Sequence, residues 1–476
     1  MPLDATGCYR ALVAHDPRFD GRFFVGVSST RIYCRPVCTA RTPRRENCSF
    51  FPSAAAAEVA GFRPCLRCRP ELAPGHASVD SSARLAHAAI GCIEDGVLET
   101  GGLEALAERL GVTSRHVRRV FASVLGVSPV AFAQTHRLLL AKRLLTDTAL
   151  PVTEIAYASG FASVRRFNAL FRSRYRLAPG ELRRHASTLS PAAPLTFELA
   201  YRPPYDWAGM QGFLATRAID GVESVSPQRY ARTLQVRHAG ALHRGWVVVT
   251  PVGRRAALKV EIPASLARAV GGVLGRVRHA FDLGCDPAAI AAALGTLASD
   301  APGVRVPGTM DGFELAVRAV VGQQISVRGA RTLLARLVRA SGEACRTPDA
   351  ALQWLFPTPE AIVACGANAL RNLGILPARA RTLVALAEAV VAGRLALDPR
   401  ADVVRNVATL RAIPGIGPWT ADIIAMRALG WPDAFPSGDI VLQRVLGAAT
   451  SRRAEQLSRQ WQPWRSYAVM HLWRQA

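Results

Sequence analysis

Ile413-Pro-Gly-Ile-Gly-Pro-Trp-Thr-Ala421 decides how the second half of this chain folds. Two glycines one residue apart, Gly415 and Gly417, lie between apolar runs that both have helical spacing. Such a turn brings backbone N–H groups close to a phosphate, because glycine carries no Cβ to hold a ligand away. Asp439 follows eighteen residues after Ala421, in the loop Phe435-Pro-Ser-Gly-Asp439, and is expected to sit over the strand thus held. A Gly-x-Gly pair is a common motif, so the remainder of the chain has to agree with it.

Working outward, 476 residues suffice for about three domains, and a 50% hydrophobic content fills their cores. The formal net charge of +24 predicts a polyanionic partner. It is spread along the chain: Lys+Arg minus Asp+Glu is 26 − 15 = +11 for residues 1–190, leaving 33 − 20 = +13 for the rest. Of the 59 basic residues 57 are Arg, which also fits a GC-rich coding sequence, so motifs must carry the argument. Four of the ten cysteines are clustered and the others scattered among apolar residues, as expected in a reducing compartment. Met1-Pro-Leu-Asp4 lacks the pattern of a signal peptide. The nearest candidate for a membrane span, Thr382–Leu397, carries Glu388 and Arg394. These features predict a soluble, cytoplasmic, nucleoid-associated protein without a membrane partner.

Cys34-Arg-Pro-Val-Cys38 and Cys65-Leu-Arg-Cys68 are two close pairs separated by 26 residues. They supply four thiolates, Cys34, Cys38, Cys65 and Cys68, to one tetrahedral Zn²⁺. The segment is small, so metal binding is expected to contribute directly to its folding. Phe23-Phe-Val-Gly26, Thr30-Arg-Ile-Tyr-Cys34, Arg45-Glu-Asn47 and Gly61-Phe-Arg-Pro-Cys65 surround the cysteines. Over nearly all of residues 1–75 these words resemble the N-terminal domain of the Ada-type adaptive-response regulators. The resemblance implies that Cys34 is both zinc ligand and methyl acceptor, taking a methyl group irreversibly from a DNA methylphosphotriester. Zinc keeps that thiol deprotonated, and the thiolate is the nucleophile. Methylation changes the formal charge of the four-thiolate site from −2 to −1, so affinity for DNA rises: an electrostatic damage switch. Thr30, Arg41 and Arg67 occupy that family's backbone-contact positions, and Cys48 is read as a bystander.

Helical periodicity then runs from about Ser81 to Arg184, after a loop at Pro74-Gly75. Leu103–Gly111 leads through a turn into Ser114–Phe121, and about 49 residues later Ile155–Gly160 leads into Ser163–Phe171. Ser128-Pro129 and Ala178-Pro179 follow the two copies, and a long helix over about Val130–Thr146 joins them. The duplication over residues 80–185 resembles the AraC-type DNA-binding domain. The second helix of each unit is then expected in the major groove, with Arg115, His116, Arg118, Arg165, Arg166 and Asn168 as candidates for base or phosphate contact. The front half thus resembles an Ada-type protein without its second methyl-transfer domain. The only Pro-Cys is Pro64-Cys65, so no repair of O6-alkylguanine is expected.

A Pro/Ser/Ala linker, residues 186–194, separates this half from the next. Residues 195–282 read as α+β, with strands at Thr196–Ala200 and Trp246–Thr250 and a helix over Ile262–Phe281. From 283 to 476 nearly every segment is helical, including Asp311–Val321, Val327–Ala340, Ala378–Ala392 and Trp419–Leu429. Arg202-Pro-Pro-Tyr-Asp-Trp207, Gly322-Gln-Gln-Ile-Ser-Val327, Phe356-Pro-Thr-Pro359, the hairpin and Trp464–Trp473 occur in order. Together they resemble the AlkA-type 3-methyladenine DNA glycosylases of the helix-hairpin-helix superfamily.

That resemblance implies that Asp439 is catalytic, stabilising positive charge on the sugar or orienting water once the base is flipped out. It places Phe213, Trp419 and Trp473 as aromatic pocket walls, Gln324 as the wedge that fills the vacated gap, and Gly415 and Gly417 on the phosphate. Relatives that also cut the strand carry a lysine where this chain has Trp419. The only lysines are Lys142 and Lys259, so a monofunctional enzyme without a cofactor is expected. Three departures stand out. Ile423 and Ile440 replace pocket tyrosines, Gln324 after Gln323 replaces an apolar wedge, and Ser437-Gly438 replaces a Pro-Asp pair, removing a negative charge beside Asp439.

The fold class expected is therefore multidomain and mainly α: a small α+β zinc domain, an all-α tandem helix-turn-helix domain, and an α+β subdomain followed by an all-α helix-hairpin-helix domain. The function expected is a methyl-switched transcription activator joined to an alkylbase glycosylase. Double-stranded DNA, both alkylated and at a promoter, and RNA polymerase are its partners. Two other readings remain at this stage, a regulator whose second half only binds DNA and a repair enzyme whose front half only targets it.

Overall fold

The computed structural model describes residues 4–74, 81–94, 97–184, 194–238, 240–253 and 255–475. The expected linker at 186–194 lies, apart from Pro194, outside the described residues, as does Gly75.

The first domain starts with α1 (Ala5–Val13), capped by Asp4, whose carboxylate accepts from the N–H groups of Thr6 and Gly7. Four short strands follow, β1 (Phe24–Val27), β2 (Ile32–Cys34), β3 (Cys48–Phe51) and β4 (Arg63–Pro64), with α2 (Ala54–Val59) between the last two. The sheet order is β3-β1-β2-β4, antiparallel except for the β2–β4 pair. That parallel pairing sets Tyr33 beside Pro64 and so brings the two cysteine pairs to one end of the sheet. Among the described residues two small apolar clusters support it, one around Phe23 and Val25 and one around Phe24, Tyr33 and Phe62.

The helical domain contains α3 (Ser81–Glu94), α4 (Val97–Thr100), α5 (Gly102–Arg109), α6 (Ser114–Leu125), α7 (Pro129–Asp147), α8 (Val152–Ala158), α9 (Val164–Tyr175) and α10 (Pro179–Arg184). The duplication is visible in its caps. Thr113 accepts from the His116 N–H at the start of α6 and Ser163 from the Arg166 N–H at the start of α9. Buried faces repeat as well: Val117, Phe121 and Leu125 in α6 correspond to Phe167, Phe171 and Tyr175 in α9, at helical spacing. The opposite faces leave Arg115, Arg118, Arg165 and Arg166 exposed.

Buried polar contacts dock the first domain on α7. Lys142 Nζ donates to Glu71 Oε2 at 2.7 Å, with both side chains nearly inaccessible. Arg69 bridges Glu71 and Asp147, and Thr135 donates to Glu58.

The third unit is a five-stranded antiparallel sheet in the order β5-β9-β8-β7-β6, comprising β5 (Leu195–Ala200), β6 (Glu223–Ser226), β7 (Arg229–His238), β8 (Ala241–Pro251) and β9 (Ala257–Ile262). Strict alternation in β5 buries Leu195, Phe197 and Leu199. α11 (Trp207–Arg217) and α12 (Val270–Ala280) accompany the sheet, and the described residues continue as α13 (Pro287–Leu294), α14 (Gly312–Val321), α15 (Val327–Ser341), α16 (Pro359–Asn372), α17 (Pro377–Val391), α18 (Val403–Ala412), α19 (Pro418–Arg427), α20 (Ile440–Val445), α21 (Ser451–Ser458) and α22 (Arg465–Arg474). Two apolar clusters organise these helices. One centres on α14, α15, α17 and the hairpin, the other on α13, α20 and α22. Trp473 packs against both, so it marks the seam between them. No helix among the described residues is long and apolar enough to cross a membrane.

Candidate functional site

The hairpin consists of α18, the turn Ile413–Gly417 and α19. Its two glycines do different work. Gly415 has φ +91°, and a Cβ there falls 2.1 Å from Thr382 Oγ1, so the turn itself requires glycine. Gly417 has an ordinary φ of −85° and meets nothing within 4 Å of a Cβ. It caps α19 without a side-chain hydrogen bond, which leaves an open, positively polarised helix start facing solvent.

Two residues after Gly417, Trp419 points its indole at Asp439. Nε1 donates to Asp439 Oδ2 at 3.0 Å, and Trp473 Nε1 donates to Oδ1 at 3.3 Å. Asp439 also caps α20, Oδ1 accepting from the Leu442 N–H at 3.0 Å. Three donors therefore orient one half-buried carboxylate. An ion pair between Arg474 and Asp206 pins the end of α22 to the start of α11, the helix that carries Phe213. Phe213 joins the same cluster as Trp473. Neither lysine approaches this carboxylate: Lys142 is bound to Glu71, and Lys259 pairs with Glu261 at 3.2 Å.

The residue expected to act as the wedge, Gln324, has a strained backbone. Gln324 adopts φ +52°, a left-handed conformation uncommon for a residue with a Cβ, and is exposed. Its neighbour holds it there, Gln323 Nε2 donating at 2.9 Å to both the Gly415 carbonyl and Thr420 Oγ1. Of the two isoleucines that replace tyrosine, Ile423 is buried in the hairpin cluster whereas Ile440 is 71% exposed at the start of α20.

In the first domain the Sγ atoms of Cys34, Cys38, Cys65 and Cys68 all lie within 4.8 Å of one another. Four thiolates around a zinc ion stand about 3.8 Å apart, given Zn–S bonds of about 2.3 Å, so the donor set and its spacing fit the metal. Cys34 and Cys68 keep partial access to solvent while Cys38 and Cys65 are buried. Arg35 stiffens the site: its N–H donates to Cys68 Sγ at 3.3 Å and its guanidinium is ion-paired with buried Asp20. Thr30, Arg41 and Arg67 are exposed. Cys48 is buried apart from the four, its thiol donating to the Arg44 carbonyl.

Sequence reasoning missed the two indole N–H donors on Asp439 and the buried links between the first domain and α7. In sequence the two tryptophans read only as stacking walls. Nothing local signals that residues 419, 439 and 473 converge.

Comparison with known proteins follows this division. Residues 7–71 match the metal-binding domain of Ada, 106–185 a helix-turn-helix domain, 196–311 the AlkA N-terminal domain and 317–463 the HhH-GPD superfamily of base excision DNA repair proteins. A probable bifunctional transcriptional activator/DNA repair enzyme AlkA of Mycobacterium tuberculosis is 39% identical over 490 residues, covering 99% of this chain and 97% of the relative. DNA-3-methyladenine glycosylase 2 of Escherichia coli is 38% identical over 277 residues, covering 58% of this chain and 96% of that protein. The bifunctional transcriptional activator/DNA repair enzyme Ada of Escherichia coli is 40% identical over 129 residues, 27% of this chain and 35% of that protein. Among solved structures, a 3-methyladenine DNA glycosylase from Archaeoglobus fulgidus shares the fold, with a TM-score of 0.50 and 20% identity over 58% of this chain and 97% of its own.

Proposed function

The chain belongs to the family of bifunctional transcriptional activator/DNA repair enzymes of the AlkA type, and from that premise we propose a role for each of its sites. The observation that carries the glycosylase assignment is the carboxylate of Asp439, held by Trp419 and Trp473 beside an open hairpin. We assign 1–75 to the methyl sensor, 80–185 to the DNA reader and 195–476 to the glycosylase.

In the glycosylase, the N–H groups at the start of α19 hold a phosphate of the damaged strand. Gln324 enters the stack as the nucleotide leaves it, and the flipped base lies among Phe213, Trp419 and Trp473. As the N-glycosidic bond breaks, positive charge grows on the sugar and the Asp439 carboxylate stabilises it. Water then adds to the sugar, and the products are free 3-methyladenine-type base and an abasic site. Carboxylate and water supply all the chemistry, so this step uses no cofactor. With Trp419 in place of a lysine there is no amine to form an imine, and the strand stays uncut.

In the sensor, Cys34, Cys38, Cys65 and Cys68 hold zinc, which keeps Cys34 a thiolate at neutral pH. Cys34 Sγ attacks the methyl carbon of a DNA methylphosphotriester. The S–C bond forms, the C–O bond breaks, and the phosphodiester departs as an anion. Cys34 becomes a neutral thioether, so one negative charge facing the DNA is removed. Thr30, Arg41 and Arg67 contact the backbone there, and the exposed faces of α6 and α9 read a promoter for RNA polymerase to use.

Base release from methylated duplex by wild type and Asp439→Asn tests the enzyme. Release by wild type alone, without nicking, is expected, whereas two inert proteins leave a regulator that merely binds DNA. Mass spectrometry after incubation with methylphosphotriester DNA tests the sensor, and absence of a methyl gain on Cys34 refutes it.

A further inference from the structure

The two halves of the chain are joined by more than the linker. Linked domains move independently by default, unless the surface between them is large and apolar. Here one apolar cluster takes in Leu144, Ile155 and Phe167 of the helix-turn-helix domain together with Phe197 and Leu266 of the α+β unit. Across the boundary α7 packs on β5, α3 on α12, and α8 on the 3₁₀ turn Ala264–Ala269. Separating the halves would open this cluster to water, so burial of apolar surface holds them together.

Polar contacts give the interface a single register. Gly91 of α3 leaves a notch for Arg400: a Cβ there would overlap the Arg400 side chain, and Arg400 Nη1 donates to the Gly91 carbonyl at 3.1 Å. Arg400 also pairs with Asp398 at 2.9 Å, and Asp398 faces Arg109 of α5 at 4.0 Å. Arg143 of α7 crosses to β5, its Nη2 donating to the Glu198 carbonyl at 2.5 Å and its guanidinium lying 4.9 Å from the centre of the Phe197 ring. A more exposed pair joins Glu154 of α8 to Arg268 at 3.5 Å.

This docking leaves both candidate DNA faces open. Arg115 and Arg118 of α6, Arg165 and Arg166 of α9, and Gly415 and Gly417 of the hairpin all remain exposed. Arg400 stands just ahead of α18, the first helix of the hairpin, so the Gly91 notch moors the first helix-turn-helix unit beside it. Resting on the glycosylase reading, we infer that the tandem helix-turn-helix domain is a docked duplex-binding subunit of the glycosylase. Held by this interface rather than by the linker, its arginine faces grip undamaged duplex beside the lesion and lower KM for base release.

The full chain is folded first and then cut at a protease recognition sequence inserted into the linker after Leu189. Cut wild type is expected to elute as one species in gel filtration and to keep the KM of the uncut chain on methylated duplex. Halves that elute apart overturn the inference. Gly91→Leu with Glu154→Arg drives bulk against Arg400 and like charge against Arg268. Leucine suits a helix better than glycine, and the added arginine opposes any loss of contact with DNA, so neither change weakens the reader by itself. After cutting, this variant is expected to dissociate, with KM raised about tenfold or more and kcat unchanged; uncut, the linker keeps the reader close and KM rises less. Adding Arg400→Ala and Arg268→Glu relieves both clashes and should restore co-elution and KM, which a misfolded reader could not do. A wild-type KM in the separated halves overturns the role of the reader in base release. Base release absent from uncut wild type refutes the glycosylase reading itself, and elution of the cut halves still judges the interface.

Discussion

The indole N–H of Trp419 donates to Asp439 Oδ2 at 3.0 Å, across the turn that joins the hairpin to the loop of Asp439. With Trp473 on the other oxygen, both oxygens of one carboxylate are held by indole donors. On the proposed reading, Trp419 at the lysine position aims this carboxylate, and its being oriented before substrate arrives leaves little reorganisation for the transition state.

Asp439 also caps α20, and that separates stability from chemistry. Asparagine caps a helix about as well as aspartate, but its NH2 would face the Trp419 N–H, so Asp439→Asn should melt no more than slightly below wild type while base release falls by about 10²–10³-fold. Asp439→Ala should lose both, with a cost of about 1 kcal/mol in stability. Replacing either indole with Phe keeps a stacking wall and deletes one donor to a charged group, a loss of about ten- to a hundredfold in rate. Thermal melts alongside single-turnover assays decide the matter; an Asp439→Asn protein with wild-type rate would remove the carboxylate from the mechanism.

The two hairpin glycines should respond oppositely to alanine. Gly415→Ala imposes a positive φ on a side chain and drives its Cβ into Thr382, so a destabilisation of about 2–4 kcal/mol is expected. Gly417→Ala meets open space in the free protein and should cost less than about 1 kcal/mol. Its methyl group instead occupies the room a phosphate needs, so DNA affinity should drop while the melting temperature holds. Urea midpoints and binding isotherms on abasic duplex distinguish the two. Equal stability loss in both variants contradicts the assignment of Gly417 to the ligand.

That asymmetry shows where sequence reading stops. Gly-x-Gly announces a turn, but only packing of Thr382 against one glycine and not the other tells which is structural and which faces a ligand. The cysteine quartet was legible because metal chemistry demands close pairs, and the tandem repeat because Ser128-Pro129 and Ala178-Pro179 follow two helix-turn-helix patterns about 49 residues apart. Contacts such as Lys142 on Glu71, Trp473 on Asp439 or Arg427 on Phe213 join residues far apart in the chain with no periodicity between them. They follow from tertiary packing alone. For the same reason Ile423 and Ile440 look equivalent in sequence, yet one lies in the core and the other in solvent.

The sensor should depend on its metal while the glycosylase does not. Its sheet rests on two small apolar clusters, too little to hold four short strands unaided. Stripping zinc with a chelator under reducing conditions should abolish methyl uptake by Cys34 and open residues 22–74 to protease. Base release by the same sample should be unchanged, since Asp439 and its donors all belong to the later half. Protease resistance of the stripped region would contradict the structural role of the metal.

Glu58 should give the sensor's attachment a pH dependence of definite sign. Its buried carboxyl receives hydrogen bonds from Tyr33 at 3.1 Å and Thr135 at 3.0 Å, linking the residue before Cys34 to α7. Burial pushes its pKa from 4.5 up to about 7, opposed only in part by those bonds and by Arg174 and Lys142, while Tyr175 also lies near. The folded form therefore holds a proton that the unfolded chain releases near its ordinary value. Stability from this group is complete below pH 4.5 and declines as pH rises through about 7, by on the order of 3 kcal/mol. Glu58→Gln is uncharged at every pH, and the Thr135 hydroxyl can turn to accept from the new amide. The variant should lose this slope and become more stable than wild type above neutrality. Urea midpoints from about pH 5 to about pH 8 test it, and parallel profiles for the two proteins would mean that Glu58 does not titrate in this range.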